Sequence, residues 1–137
     1  MKRVRLLVLL GAIAIALPFG LMHGVAGATG GGGTSVSIKQ YGDYNAFGTQ
    51  LDVGLLVRCS GGMGLAEVTV TQDSPETGIP TTGTGFNPAV VCDGRTHSVG
   101  VTIIGSVFDP GKAWAEADVT ADSGDAHAQR WITIQVV

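Results

Sequence analysis

Nine residues, Leu51-Asp52-Val53-Gly54-Leu55-Leu56-Val57-Arg58-Cys59, constrain the fold more than any other part of the chain. Leu51, Val53, Leu55, Val57 and Cys59 share one parity, while Asp52 and Arg58 share the other. Successive side chains of an extended strand point to opposite faces, so the pattern predicts a half-buried β-strand that turns the cysteine into the core. An α-helix would spread the same apolar residues around its whole circumference.

The same rule runs through the chain from Thr34 onward. Ala66, Val68 and Val70 alternate with Glu67, Thr69 and Thr71, and Val99, Val101 and Ile103 alternate with Ser98, Gly100 and Thr102. Ala113, Ala115, Ala117 and Val119 alternate with Trp114, Glu116, Asp118 and Thr120, and Ile132, Ile134 and Val136 with Trp131, Thr133 and Gln135. Ser35 to Gln40 reads as the first strand. Between these runs lie turn formers: the glycine-rich Ser60 to Gly64, Asp93-Gly94 as a type I′ hairpin after Val90 and Cys92, Phe108-Asp109-Pro110-Gly111, and the turn around Asp122 to Asp125. Asp73 to Pro88, rich in Pro, Gly and Thr, predicts irregular or edge structure rather than a central strand. About seven strands at this spacing predict an all-β antiparallel sandwich over residues 35–137.

The amino terminus has a different logic. Lys2, Arg3 and Arg5 precede an apolar run from Leu6 to Leu17, broken by Pro18 and Gly20, and small residues follow at Ala26 and Ala28. That order predicts a secretory signal peptide over 1–28, cleaved after Ala28, and a protein released outside the cell. The competing reading, an uncleaved anchor from Leu6 to Met22, approaches the roughly 20 apolar residues a bilayer requires, but Pro18 and the small-residue site oppose it. Residues 29–34, Thr29 followed by four glycines and Thr34, predict a flexible leader.

Processing leaves about 109 residues, enough for one hydrophobic core. Cys59 and Cys92 both survive it, and a matched pair in an exported chain predicts a disulfide. Closing a loop of about 34 residues stabilises by about 3 to 4 kcal/mol through chain entropy. Lys39, Arg58, Arg95, Lys112 and Arg130 then face eleven acidic residues, a net charge of about −6. That balance opposes nucleic acid and anionic membrane surfaces as partners.

Cys59, the Ala66-Glu67-Val68-Thr69-Val70-Thr71 strand, Cys92-Asp93-Gly94 with His97, and Asp109-Pro110-Gly111-Lys112-Ala113 leading into Ala115-Glu116-Ala117 together resemble short exported actinobacterial proteins with an immunoglobulin-like sandwich. The resemblance covers most of the mature chain and implies an immunoglobulin-like β-sandwich with one disulfide; it carries over no catalytic residue. The chain lacks the tryptophan that antibody domains place between their two cysteines. A looser similarity is to the enediyne chromoprotein carriers, which typically hold two disulfides where only one is possible here.

For chemistry, His97 and His127 are the histidines left after processing, the residue type best suited to general acid–base work. Ser98 adjoins His97 and Asp93 is near in sequence, but adjacent strand residues point to opposite faces, so no Ser-His-Asp assembly is expected. There is no GxSxG elbow, HExxH pair or phosphate loop, and the chain reads as a non-enzyme without a cofactor. Asp118, Asp122 and Asp125 with Ser123 offer oxygen ligands for calcium, but turns use these residues anyway and the spacing matches no EF-hand loop, so no metal is expected.

A tight turn centred between Asp122 and Ser123 places Trp114 directly across from Trp131 on the outer face, beside Glu116, and these three form the predicted binding surface. Tyr41, Tyr44 and Phe47 either plug one end of the sandwich or bind, and the Asp73 to Pro88 loop is a second place for recognition. The expected function is a secreted, non-enzymatic immunoglobulin-like module that binds an extracellular protein or glycan or contributes to the extracellular surface. The alternative is a small-molecule carrier, which requires a cleft of roughly 300 Å³ or more between the sheets. A hydrolytic enzyme comes third and requires a nucleophile within hydrogen-bond reach of His97 or His127.

Overall fold

The computed structural model describes residues 29–30 and 33–137; the signal peptide read over residues 1–28 lies outside them. Among the described residues the protein is all-β, with six strands: β1 (Thr29–Gly30), β2 (Ser35–Asn45), β3 (Gln50–Asp73), β4 (Pro80–Ile104), β5 (Gly111–Ala121) and β6 (Gly124–Val136).

The strand count differs from the expected seven because two expected reversals are bends. Leu51–Cys59 and Ala66–Thr71 are the two halves of the single strand β3, and β4 runs unbroken through Asp93-Gly94. β3 and β4 form one antiparallel hairpin from Gln50↔Ile104 to Asp73↔Pro80, with register shifts at Arg58/Ser60, Ser60/Gly62 and Gly64/Ala66. Those shifts switch the buried parity from odd residues up to Cys59 to even residues from Gly64 onward. Gly61 and Gly62 take φ of 101° and 100° at the bend, a region that side-chain-bearing residues seldom adopt. A local glycine cluster thus turns a corner while the strand keeps its partner, and Asp93-Gly94 lies opposite it, with Ser60 paired to Asp93.

The first half of β3 pairs with β2 on its other side, from Ser35↔Arg58 to Asn45↔Gln50, and the second half pairs with β5, from Leu65↔Thr120 to Thr71↔Trp114. β5 pairs with β6, and β6 runs parallel to β2 from Tyr41↔Thr133 to Tyr44↔Val136. The ring β2-β3-β5-β6 closes, giving a barrel-like sheet with β4 lying outside it against β3. The first strand extends to Asn45, five residues beyond the expected Gln40, because its second part is held between β3 and β6. The Asp73 to Pro88 segment is loop only over 74–79; from Pro80 it forms the start of β4. Ahead of Ser35, Thr29 and Gly30 pair with His127 and Ala126, and Thr34 is buried.

The interior holds Val36, Ile38, Leu51, Val53, Leu55, Val57, Val101, Ile103, Ile132 and Ile134, with the small methyls of Ala113, Ala115 and Ala117 opposite on β5. Two polar side chains with inward parity are matched. Gln72 donates to the carbonyls of Asp109 (2.8 Å) and Lys112 (3.3 Å) and accepts from the Asp109 amide (2.8 Å), fastening the β4–β5 connection to the end of β3. Arg130, between Ala128 and Ile132, reaches the seam where the β2 register breaks after Ile38 and donates to the Ile38 carbonyl at 2.9 Å. Each supplies a partner to backbone that the ladder leaves open.

Cys59 and Cys92 are bonded, 33 residues apart in sequence. The bridge lies inside the β3–β4 hairpin at its bend, next to Gly62↔Cys92, so it staples the corner of one hairpin. At three places along β4 its own chain approaches the carbonyls of the strand. The Asn87 side-chain amide donates to the Gly100 carbonyl (2.8 Å), and the Ser106 hydroxyl donates to the Thr82 carbonyl (3.3 Å). Gly85 lies so close to the Thr102 carbonyl that a Cβ there would overlap its oxygen.

Candidate functional site

The β5–β6 hairpin sets the geometry of the site. Its turn is the two residues Asp122 and Ser123, between the pair Ala121↔Gly124. The Ser123 hydroxyl accepts from the Ser60 amide at 2.9 Å and lies 2.7 Å from the Thr34 hydroxyl, which ties the tip to the β3 bend. From that turn the pairing counts out to Trp114↔Trp131. The two indoles meet edge to face, with ring centroids 5.2 Å apart and planes at 65°. Trp131 is 59% exposed, and Trp114 and Glu116 are half-buried.

Pairing of β4, β3, β5 and β6 aligns three rows across one outer face. They are Thr82, Thr71, Trp114 and Trp131; then Thr84, Thr69, Glu116 and Gln129; then Phe86, Glu67, Asp118 and His127. The threonines bond in pairs, Thr71 to Thr82 at 3.2 Å and Thr69 to Thr84 at 3.0 Å. Strands about 4.8 Å apart and a two-residue repeat of about 6.8 Å make this face about 14 Å on a side. Its charged side chains are acidic, and His127 holds Asp118 at 2.7 Å.

Reading the sequence missed the β4 column of this face, Thr82, Thr84 and Phe86. The signal was present as Thr-Gly-Thr-Gly-Phe alternation, but Pro80, Pro88 and the glycines read as breakers.

The other candidates resolve differently. His97 Nε2 lies 2.7 Å from an Asp93 carboxylate oxygen, which also accepts from the Arg95 amide at 3.0 Å. The imidazole bond first, then the amide, lowers the Asp93 pKa below its ordinary 3.8. Ser98 accepts instead from the Lys39 ammonium at 2.6 Å, so the triad residues are not brought together. His127 likewise bonds an aspartate.

Asp118, Asp122 and Asp125 do not converge: among the described residues no three of His, Cys, Asp or Glu form a metal-holding group. Asp118, Thr120, Asp125 and His127 instead line a shallow open groove of about 240 Å³. Tyr44 is buried edge-on to Phe108, ring centroids 6.1 Å apart, and closes one end of the barrel, whereas Tyr41 and Phe47 are exposed.

Comparison with protein-family models and with curated proteins finds no match to this chain.

Proposed function

We propose that the protein is exported, loses residues 1–28 by cleavage after Ala28, and acts outside the cell as a non-enzymatic binding module. Its contact surface is the outer sheet face carrying Trp114, Trp131 and Glu116. The observation that carries this reading is the tryptophan pair, Trp131 exposed and Trp114 half-buried, held in fixed register at one side of a polar sheet face. Large rigid aromatics beside hydrogen-bonding groups bind with little loss of side-chain entropy. The disulfide is compatible with an oxidising compartment.

An immunoglobulin-like architecture is part of the proposal. In its favour, β2, the first half of β3 and the second half of β4 pair in one layer, and the first half of β4, the second half of β3, β5 and β6 pair in the other. Counting each half as a strand yields seven, joined by hairpins and corners, and differs from the constant-type antibody order by one edge strand that changes layers.

Intact mass of the protein from culture medium tests export. A species beginning at Thr29 that gains two alkyl groups only after reduction supports the reading, and a full-length membrane-bound species overturns it. Tryptophan emission, compared for Trp131→Ala and Phe47→Ala, tests the face. Quenching or a blue shift by a partner, lost only in Trp131→Ala, is the expected result.

A further inference from the structure

We infer that the occupant of the Trp114–Trp131 face is a neutral polysaccharide, a step that rests on that face being the binding surface. The chemistry of the three rows is that of sugar recognition. A pyranose ring has an apolar face of C–H groups and a rim of hydroxyls. Trp131 offers an exposed aromatic surface to the first, and Thr69, Thr71, Thr82, Thr84, Glu116 and Gln129 offer donors and acceptors to the second.

Charge selects among glycans. The rows carry Glu67, Glu116 and Asp118 and no Lys or Arg, so phosphorylated, sulfated or uronate polymers meet repulsion, while carboxylates accept hydrogen bonds from neutral hydroxyls.

Polarity and shape select between glycan and protein. A stable protein interface has an apolar centre, whereas this face is mostly hydroxyl, amide and carboxylate with its indoles at one side. The face is open to solvent, which suits a chain of sugar rings laid across it better than a small molecule enclosed on all sides. Phe86, 57% exposed on the row farthest from the indoles, gives a second apolar contact along such a chain.

The test uses the secreted, oxidised protein. It is mixed with insoluble cellulose, chitin and β-1,3-glucan, and run through gels containing soluble neutral glucans, alginate or heparin. The expected result is retention by at least one neutral polymer with a shift in tryptophan emission, reduced about tenfold or more in Trp131→Ala and unchanged in Phe47→Ala. Thr84→Val, which keeps the side-chain volume and removes the hydroxyl, is expected to weaken retention severalfold; circular dichroism and melting check that both face variants are folded.

Retention by no neutral polymer, retention only by the anionic ones, or retention indifferent to Trp131→Ala overturns the inference. A photo-crosslinker at position 133, two residues beyond Trp131 and leaving the indole in place, separates the glycan from the face as such. Crosslinking to an extracellular protein without glycan retention overturns the glycan and keeps the face, whereas loss of no interaction of any kind on Trp131→Ala overturns both.

Discussion

Removing the Cys59–Cys92 bridge is expected to cost a large share of the margin by which this domain is folded. The bond closes a loop of about 34 residues, and the chain-entropy relation for that length corresponds to about 3.7 kcal/mol at 25 °C. Small domains are stable by about 5 to 15 kcal/mol, so a Cys59→Ala/Cys92→Ala protein keeps about 1 to 11 kcal/mol of stability.

Equilibrium urea unfolding, followed by tryptophan emission, measures the loss directly. With an m-value of about 1 to 3 kcal/mol/M, the midpoint falls by roughly 1.2 to 3.7 M. The loop contains the second half of β3 and the first half of β4, so the loss also has a place. Amide exchange at 60–66 and 88–95 is expected to quicken more than at Leu51 to Val57. A midpoint shift below about 0.3 M would refute the reasoning, because it would mean that the hairpin is equally constrained without its staple. Uniform acceleration across the barrel would refute the localised part alone.

Two further outcomes follow from the geometry. Gly85→Ala places a methyl on the Thr102 carbonyl, backbone that cannot swing aside, and is expected to destabilise by about 1 to 3 kcal/mol in the same urea assay, whereas Gly100→Ala, in open space, costs less than 1 kcal/mol. Asp93 has a pKa lowered in the folded state, so its contribution is present above pH 3.8 and is lost as pH falls through the lowered folded value. Stability measured from pH 5 to pH 2 should therefore fall less steeply in Asp93→Asn, and an identical slope would show that the His97 contact does not survive in solution.

The parts legible in the sequence were those where a local rule has one physical outcome. Leu51 to Cys59 and Ala113 to Val119 alternate with period two, and such runs form half-buried strands wherever they sit. The Trp114↔Trp131 register followed from turn length, since a two-residue turn leaves no freedom in the pairing. Ser60 to Gly64 and Asp93-Gly94 were misread because glycines that reverse a chain and glycines that bend a strand have the same local preference. Which one occurs depends on the neighbouring strand, here β3 and β4 staying paired through the corner. Gly85 carries information of the same distant kind, since its missing side chain answers to Thr102.

That contact has a consequence for the molecule among many copies of itself. A strand of 25 residues with one flank free is a template on which another chain can crystallise as a further strand. Here the amide of Asn87 and the hydroxyl of Ser106 bond the carbonyls of Gly100 and Thr82, and the backbone at Gly85 lies close against the Thr102 carbonyl, so a newcomer finds two acceptors taken and a third crowded. The strand thus carries, in its own side chains and glycine contacts, part of the pairing that a foreign strand would have to supply.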